Sequence, residues 1–202
     1  HVYKDGSVLL NHGGTEMGQG LLIKVAQVVA AELHIDIDQV QITSTHTGKV
    51  PNTSATAASS GADLNGMAAQ NAARTIRRRL TAFAATHYDV TENEIEFQHG
   101  LVRIGDSSMT FSELVLEAYL HRVQLSATGF YRTPKIWWDA ETARGRPFYY
   151  FAYGAAVSEV VVDLLTGENR VVAVDILHDV GRSLNPAVDA GQIEGGFIQG
   201  MG

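Results

Sequence analysis

The sequence predicts an α+β fold, in which β-hairpins and mixed sheets pack against helices. Hairpin patterns are interspersed with helical patterns, whereas a doubly wound fold would alternate strand and helix regularly. The 202 residues are 45% hydrophobic and 18% charged, which is an ordinary globular balance. A weak internal symmetry also recurs, because a hairpin twice leads into a glycine-bearing loop, a glutamine and a helix; the glutamines are Gln19 and Gln192. We therefore expect two related β-α units around one cleft.

The first predicted lobe covers residues 1–147. Asp5-Gly6 favours a tight turn, and apolar spacing predicts a helix at Leu21–Leu33. Thr110 followed by Glu113 is the pattern of a capping box at a helix start. The predicted elements are a hairpin at 2–10, a glycine-rich loop at 12–20, helices at 21–33, 62–87 and 110–120, a strand at 40–43, a hairpin at 94–104 turning at His99-Gly100, a strand at 123–131 and an irregular segment at 132–147.

The second predicted lobe covers residues 148–202. Two strands, at 148–164 and 170–177, flank the turn Thr166-Gly167, and their nearly continuous apolar positions are typical of strands covered on both faces. Asn185-Pro186 has the pattern of an N-cap and first helical turn. The helical pattern that begins at Gln192 carries several glycines, which favours close packing or close approach to a ligand.

Charge and composition exclude several classes of function. The net charge is −7, and the densest basic run, Arg77-Arg78-Arg79, occupies consecutive helical positions that fan around the helix as a solvated face. We therefore expect no nucleic-acid partner. The absence of cysteine excludes disulfides, thiolate metal sites and iron–sulfur clusters from these residues. Neither a signal peptide nor an apolar run of membrane-spanning length is present, so we expect a cytoplasmic protein that does not contact membranes.

Neither end of the sequence resembles a natural terminus. His1 opens a strand-like pattern, and the last residues, 197–202, break off inside an apolar helical pattern. We therefore expect residues 1–202 to be part of a larger subunit, with sub-lobes at 1–147 and 148–202.

Three loops offer backbone donors beside small residues. Ser59 and Ser60 fall where a helix begins, and helix N-termini attract anions through unpaired N–H groups and the macrodipole. An ordinary capped helix after a polar loop is the alternative interpretation. Two loops add a glutamine amide, which both donates and accepts, as recognition of a pterin or another polar heterocycle requires. The loops are HGGTEMGQG at 12–20, TAASSG at 56–61 and DAGQIEG at 189–195.

Acid–base and metal chemistry have little support from the residues themselves. The candidate carboxylates form no recognisable pair and are more typical of caps or surface charges: Glu16, Asp63, Glu159, Asp179, Asp189 and Glu194. The eight histidines form no H-x-H or H-x-x-x-H pair, so no metal site built from protein ligands is expected. Ser59 lies outside any G-x-S-x-G elbow. The residues alone therefore predict a polar, anionic small molecule bound by three loops.

Four segments carry a resemblance to a known family. They are HGGTEMGQG at 12–20, VPNTSATAAS at 50–59, SATGFYRTP at 126–134 and DVGRSLNPAVDAGQIEG at 179–195. In these segments the sequence resembles the molybdenum-binding large subunit of the xanthine dehydrogenase branch of the xanthine oxidase family of molybdenum hydroxylases. The first and third segments favour this branch over the carbon monoxide and aldehyde branches.

The resemblance implies a molybdopterin cofactor whose dithiolene, and not the protein, holds molybdenum. It implies that Gln19, with the backbone of Met17 and Gly18, contacts the pterin. It places Ala57 and Ala58 in the substrate pocket, with backbone N–H groups facing a purine. The other implied cofactor residues are those that cradle pterin and phosphate oxygens, Thr56, Ser59, Ser60 and Gly61, and Gln192, which hydrogen-bonds near the dithiolene.

The resemblance further implies an oxidoreductase of purine catabolism that hydroxylates hypoxanthine and xanthine to urate, with water as the oxygen source. The family's catalytic glutamate lies beyond Gly202, so no catalytic residue is assigned here and the chain alone is expected to be inactive. Its expected partners are the remainder of the large subunit, modules that carry [2Fe–2S] clusters and FAD, and a purine substrate. The alternatives are a relative that hydroxylates aldehydes or other heteroaromatics, and a non-enzymatic interaction domain.

Overall fold

The computed structural model describes residues 1–50 and 53–202 and divides into two compact units, His1–Arg132 and Thr133–Gly202. The sequence placed this division between residues 147 and 148. The predicted α+β class is confirmed, since helices are interspersed with small sheets. The α-helices of the described residues are α1 Leu21–Leu33, α2 Gly61–Tyr88, α3 Phe111–Leu120 and α4 Pro186–Met201. Within the described ranges, none of these helices is both long and apolar enough to cross a membrane.

The strands form small sheets of two or three members. In the first unit, β1 pairs with β2 in parallel, and β3, β4 and β5 form an antiparallel sheet. In the second unit, β6 pairs with β7 and β8 pairs with β9, both antiparallel. The strands are β1 Val8–Leu10, β2 Val40–Ile42, β3 Ile95–Gln98, β4 Leu101–Ile104, β5 Ser107–Thr110, β6 Trp137–Asp139, β7 Arg144–Arg146, β8 Gly154–Val162 and β9 Asn169–His178.

The core of the first unit lies between α1, α2 and α3. Val25 of α1, Leu80 of α2 and Leu114 of α3 are fully buried, and each side chain contributes about 1.5–3 kcal/mol by leaving water. Phe97 and Val102, from β3 and β4, join the same cluster. This packing fixes α1 and α2, whose N-terminal ends carry two of the candidate loops.

The arginine run on α2 differs from its predicted role as a solvated face. Glu32 of α1 is buried, and Arg77 Nη2 lies 2.9 Å from its carboxylate, which compensates the buried charge. Arg79 Nη1 donates to the carbonyls of Gln124, at 3.1 Å, and Ser126, at 2.8 Å. Two of the three arginines therefore hold neighbouring segments against α2.

Several predicted local signals are confirmed in the first unit. Thr110 Oγ1 accepts from Glu113 N–H at 3.1 Å, and Glu113 Oε2 accepts from Thr110 N–H at 2.8 Å, which is the capping box. β3 and β4 form the hairpin around His99-Gly100. The turn at Asp5-Gly6 brings Tyr3 N–H within 2.8 Å of the Ser7 carbonyl.

The predicted strand at 123–131 is wrong, because this segment forms no strand ladder. Its carbonyls instead accept from scattered donors, such as Val2 N–H to Leu125 O at 2.8 Å and Asn71 Nδ2 to Phe130 O at 2.9 Å. At Gly129 a Cβ would lie 1.8 Å from the backbone oxygen of Ala68. The segment therefore packs closely against α2. Its carbonyl groups are hydrogen-bonded by separate donors and not by a neighbouring strand.

The second unit contains β6, β7, β8, β9 and α4, of which the β6–β7 hairpin lies in the segment predicted to be irregular. Every residue of β8 is exposed, so the unit itself does not cover the two faces of the long strands. The predicted cover stays a prediction. α4 begins as predicted, with the Asn185 side chain accepting from Val188 N–H and Pro186 in the first turn.

Candidate functional site

Two candidate loops meet in the first unit. Thr15 N–H, in the loop at 12–20, donates to Thr56 Oγ1 at 2.9 Å, across 41 positions of sequence. A Cβ at Gly13 would lie 2.1 Å from Thr53 Oγ1, so this contact requires glycine. The HGGTEMGQG segment and the TAASSG segment therefore form one surface. Pro51 and Asn52, which belong to the VPNTSATAAS segment at 50–59, lie outside the described residues.

Glu16 organises the loop at 12–20 by capping α1. Its Oε1 accepts from Gly18 N–H at 2.9 Å and Gly20 N–H at 3.0 Å, and its Oε2 accepts from Leu22 N–H at 2.9 Å. Burial raises the pKa of Glu16, but the backbone hydrogen bonds outweigh it and hold the pKa below its ordinary value. Glu16 is thus a helix cap, as its sequence position favoured.

The Gln19 amide shapes the loop in which it lies. Oε1 accepts from Met17 N–H at 2.6 Å, and Nε2 donates to Thr15 O at 2.8 Å. A primary amide has two N–H donors and two acceptor lone pairs, so Gln19 retains capacity for a ligand. The Gly18 N–H already bonds to Glu16, which leaves the Met17 and Gly18 carbonyls for contacts outside the loop.

The start of α2 presents backbone donors without a side-chain cap. Ser60 is the N-cap residue, but its Oγ donates to Ala57 O at 3.0 Å and caps no helical N–H group. Ala58 and Ser59 both have left-handed backbone, with φ of 58° and 55°. This conformation costs non-glycine residues about 1–2 kcal/mol each, and such strain clusters at functional sites. The N–H groups of the first turn attract anions, and the Asp63 carboxylate itself lies in this turn.

A cleft of about 570 Å³ extends from this surface into the first unit. Its walls include Thr56, Ser60 and Gly61, from the TAASSG segment. Lys49 also lines it, and none of the described lining residues is Asp or Glu, although the chain carries a net charge of −7. The described walls therefore favour a neutral or anionic occupant over a cation.

His12 is a residue of this cleft that sequence reasoning missed. It is only 7% exposed, and its Nδ1 accepts from Gly14 N–H at 3.0 Å. Its Nε2 is buried and has no hydrogen-bond partner among the described residues. Burial lowers the pKa of His12 and outweighs the opposing effect of the Glu16 charge, which favours the neutral ring at pH 7. His12 is the first residue of the glycine-rich motif at 12–20, and this position is the sequence signal that could have identified it.

Gln192 lies in the second unit, on the exposed surface of α4. The same unit places Glu194 on α4 and lets Asp179 Oδ1 accept from Gly181 N–H at 2.8 Å. These carboxylates match the predicted caps and surface charges. The structure joins the loop at 12–20 to the segment at 56–61 through Thr15 and Thr56. The convergence of residues 17–19 and of Gln192 on that segment stays a prediction.

Comparison with known proteins gives one matching family and several close relatives. A family model described as "Molybdopterin cofactor-binding domain" matches residues 1–202. The whole chain aligns with xanthine dehydrogenase/oxidase of Mus musculus at 49% identity, covering 14% of that protein. It also aligns at 47% identity with xanthine dehydrogenase of Oryza sativa subsp. japonica and with aldehyde oxidase 2 of Macaca fascicularis, covering 13% and 14% of them.

Solved structures agree with the fold. The CO dehydrogenase of Oligotropha carboxidovorans superposes with a TM-score of 0.81 at 26% identity, over 96% of this chain and 24% of that one. Quinoline 2-oxidoreductase of Pseudomonas putida 86 superposes with a TM-score of 0.78 at 24% identity, over the same shares of the two chains.

Proposed function

The chain belongs to the molybdopterin cofactor-binding domain family, and from this premise we propose that it is the cofactor-holding part of a xanthine dehydrogenase-type molybdenum hydroxylase. The proposed reaction hydroxylates hypoxanthine and xanthine to urate, with water as the oxygen source. The chain spans 14% of the mouse relative's length. The proposal therefore includes partners: the remainder of the large subunit, and iron–sulfur and FAD modules. Cytoplasmic localisation stays a prediction.

The observation that carries this proposal is the meeting of two motif loops at the uncapped start of α2. Thr15 N–H bonds to Thr56 Oγ1, and the Ser60 side chain caps no N–H group of the first turn. A cofactor with a polar heterocycle and a phosphate needs amide groups and clustered backbone donors, which this surface offers together. The residues present therefore fit the cofactor.

The chain's own residues bind and orient the cofactor in this proposal. Gln19 offers its second amide N–H to the pterin, and the backbone at Ser59, Ser60 and Gly61 donates to anionic oxygens. Gln192 supplies a second amide from α4. When bound, the cofactor supplies the molybdenum centre at which the substrate carbon is oxidised.

Ala57 and Ala58 form the proposed substrate side of the same segment. Both are exposed, and their methyl groups leave room for a flat ring to approach the backbone. The left-handed conformation at Ala58 turns the backbone sharply at this point. We propose that this small-residue edge orients the substrate, and we assign no proton transfer to any residue of this chain.

One specific observation supports aldehydes or other heteroaromatics as a second candidate substrate class. Aldehyde oxidase 2 of Macaca fascicularis is 47% identical over the same residues for which the mouse xanthine dehydrogenase/oxidase is 49% identical. A difference this small does not separate the two substrate classes. The alternative is thus an enzyme that hydroxylates aldehydes or other heteroaromatics.

The proposal is tested on the full-length protein that carries this chain. Purified protein is assayed with xanthine and with an aromatic aldehyde, each with an electron acceptor. We expect stoichiometric molybdenum and urate production. Turnover of the aldehyde alone would favour the second candidate, and a protein without molybdenum or pterin would contradict both.

Variants at the site separate binding from folding. In Gln19→Ala and Ser59→Ala we expect molybdenum content or activity to fall about tenfold or more. Gln19→Ala removes the amide that is offered to the pterin, and Ser59→Ala removes a hydroxyl proposed to lie beside the anionic oxygens. The exposed residues Gln41 and Ser108 provide matched controls, Gln41→Ala and Ser108→Ala. Unchanged metal loading and turnover in both site variants would count against the assignment.

A further inference from the structure

The buried ring of His12 carries a defined tautomer. Backbone N–H groups only donate, so Nδ1, which receives Gly14 N–H at 3.0 Å, carries no proton. The neutral ring therefore holds its proton on Nε2. That N–H is buried and has no acceptor among the described residues. A buried donor without an acceptor is unfavourable, which motivates a search for the group that completes it.

The ring lies in the wall of the cleft that also contains Thr56, Ser60 and Gly61. Lys49 adds a cation to the same cleft, and no described lining residue is a carboxylate. The start of α2, where Ser60 provides no side-chain cap, adds backbone donors to the same lining. Three independent features of one cleft thus offer donors, and a described protein acceptor for Nε2–H is absent. The missing acceptor is therefore expected to arrive with a ligand.

We propose that His12 is a further cofactor-positioning residue, which donates from Nε2 to an acceptor atom of the ligand held in the cleft. This inference rests on the proposed function, and it extends the binding surface beyond the loop ends at residues 17–19 and 56–61. The chemistry recognised is an electron-rich oxygen or ring nitrogen, either on a pterin or on its phosphate arm. Because Nε2 is shielded from water, the proposed contact requires the side chains that cover it to move.

Two substitutions divide the functions of the two ring nitrogens. His12→Asn keeps an acceptor at the position of Nδ1, since an asparagine oxygen readily accepts from the N–H two residues later, but removes the Nε2 donor. His12→Gln places an amide N–H near the position of Nε2 and loses the acceptor for Gly14 N–H. His46→Asn is the matched control, because His46 is exposed and lies outside the cleft lining.

The experiment measures pterin retention and stability in the full-length protein. Pterin bound per chain is followed during prolonged dialysis, and the thermal midpoint is measured on cofactor-free protein from a host that cannot make the pterin. In His12→Asn we expect retention to weaken roughly 10- to 100-fold, with the cofactor-free midpoint near wild type. In His12→Gln we expect the midpoint to fall, while retention exceeds that of His12→Asn.

The outcomes distinguish this inference from the proposed function. If His12→Asn retains pterin as well as His46→Asn and wild type, the inference is overturned while the proposed function stands. It is also overturned if both His12 variants lose pterin only in proportion to a lowered midpoint, because His12 is then structural. Wild-type protein that carries no pterin would overturn the proposed function, and this inference with it.

Discussion

At Glu16 one carboxylate accepts three backbone N–H groups and replaces the missing cap of α1. The same residue fixes the loop that carries Met17, Gly18 and Gln19. Its pKa lies below the ordinary value of 4.5 because the ionised form is hydrogen-bonded. The unfolded chain then binds a proton at higher pH than the folded chain, so Glu16 stabilises the fold above about pH 4.5 and loses this effect as the pH falls.

Replacing Glu16 tests this at the residue scale. In Glu16→Gln we expect the free energy of unfolding at pH 7 to fall by about 1 kcal/mol, a magnitude reduced by the exposure of the side chain. Denaturant unfolding at pH 7 and at pH 3 measures it. A stability loss that is equal at both pH values would show that the carboxylate charge is not the cause.

The close approach at Gly129 gives a second prediction. A Cβ there would overlap the Ala68 carbonyl at 1.8 Å, and neither backbone can move freely. In Gly129→Ala we expect a destabilisation of about 1–3 kcal/mol or more. The control is Gly196→Ala in α4, where no heavy atom lies within 4 Å and alanine should stabilise the helix by about 0.5–1 kcal/mol. Equal thermal midpoints for the two variants would contradict this account.

At the scale of elements, α2 connects the site to the core. Leu80 is fully buried between α2 and its neighbours, whereas Leu120 at the end of α3 is 67% exposed. In Leu80→Ala we expect the unfolding free energy to fall by about 3–5 kcal/mol, because a cavity remains. In Leu120→Ala we expect a change within about 0.5 kcal/mol. Chemical denaturation measures both variants. Similar losses of unfolding free energy in the two would contradict this packing.

Elements set by local chemistry could be predicted from the sequence. The Leu21–Leu33 helix has the predicted bounds, and the capping box starts α3 as expected, because these signals act within a few residues. The segment at 123–131 could not be predicted, since its hydrogen bonds come from Val2, Arg79 and Asn71. Such distant partners leave no periodic trace in the segment itself.

The candidate site shows the same limit. The small-residue composition of TAASSG and the serines at its end predict a helix start there, close to the observed start of α2. Tertiary contacts produce the Thr15–Thr56 hydrogen bond and bury the unpaired Nε2 of His12. A local sequence pattern therefore does not predict them. The long strands β8 and β9 were expected to be covered, but apolar composition alone does not say what covers them.

At the scale of the whole molecule, the two units differ in their cores. Every buried hydrophobic residue that the structure describes lies in His1–Arg132. The second unit is built on two-stranded ribbons and one helix, and isolated ribbons are marginally stable in water. We expect residues 1–132 alone to unfold cooperatively and residues 133–202 alone to lack dispersed NMR signals. A cooperative transition in the second piece would contradict this division.

We propose that residues 17–19, 56–61 and Gln192 hold one molybdopterin cofactor. A crystal structure of the full-length protein, with anomalous data at the molybdenum edge, tests it most directly. We expect pterin density within hydrogen-bond distance of Gln19, of the backbone at Ser59–Gly61 and of Gln192. Pterin density that contacts none of these residues, or Gln19 and Gln192 on surfaces farther apart than one cofactor can span, would contradict it.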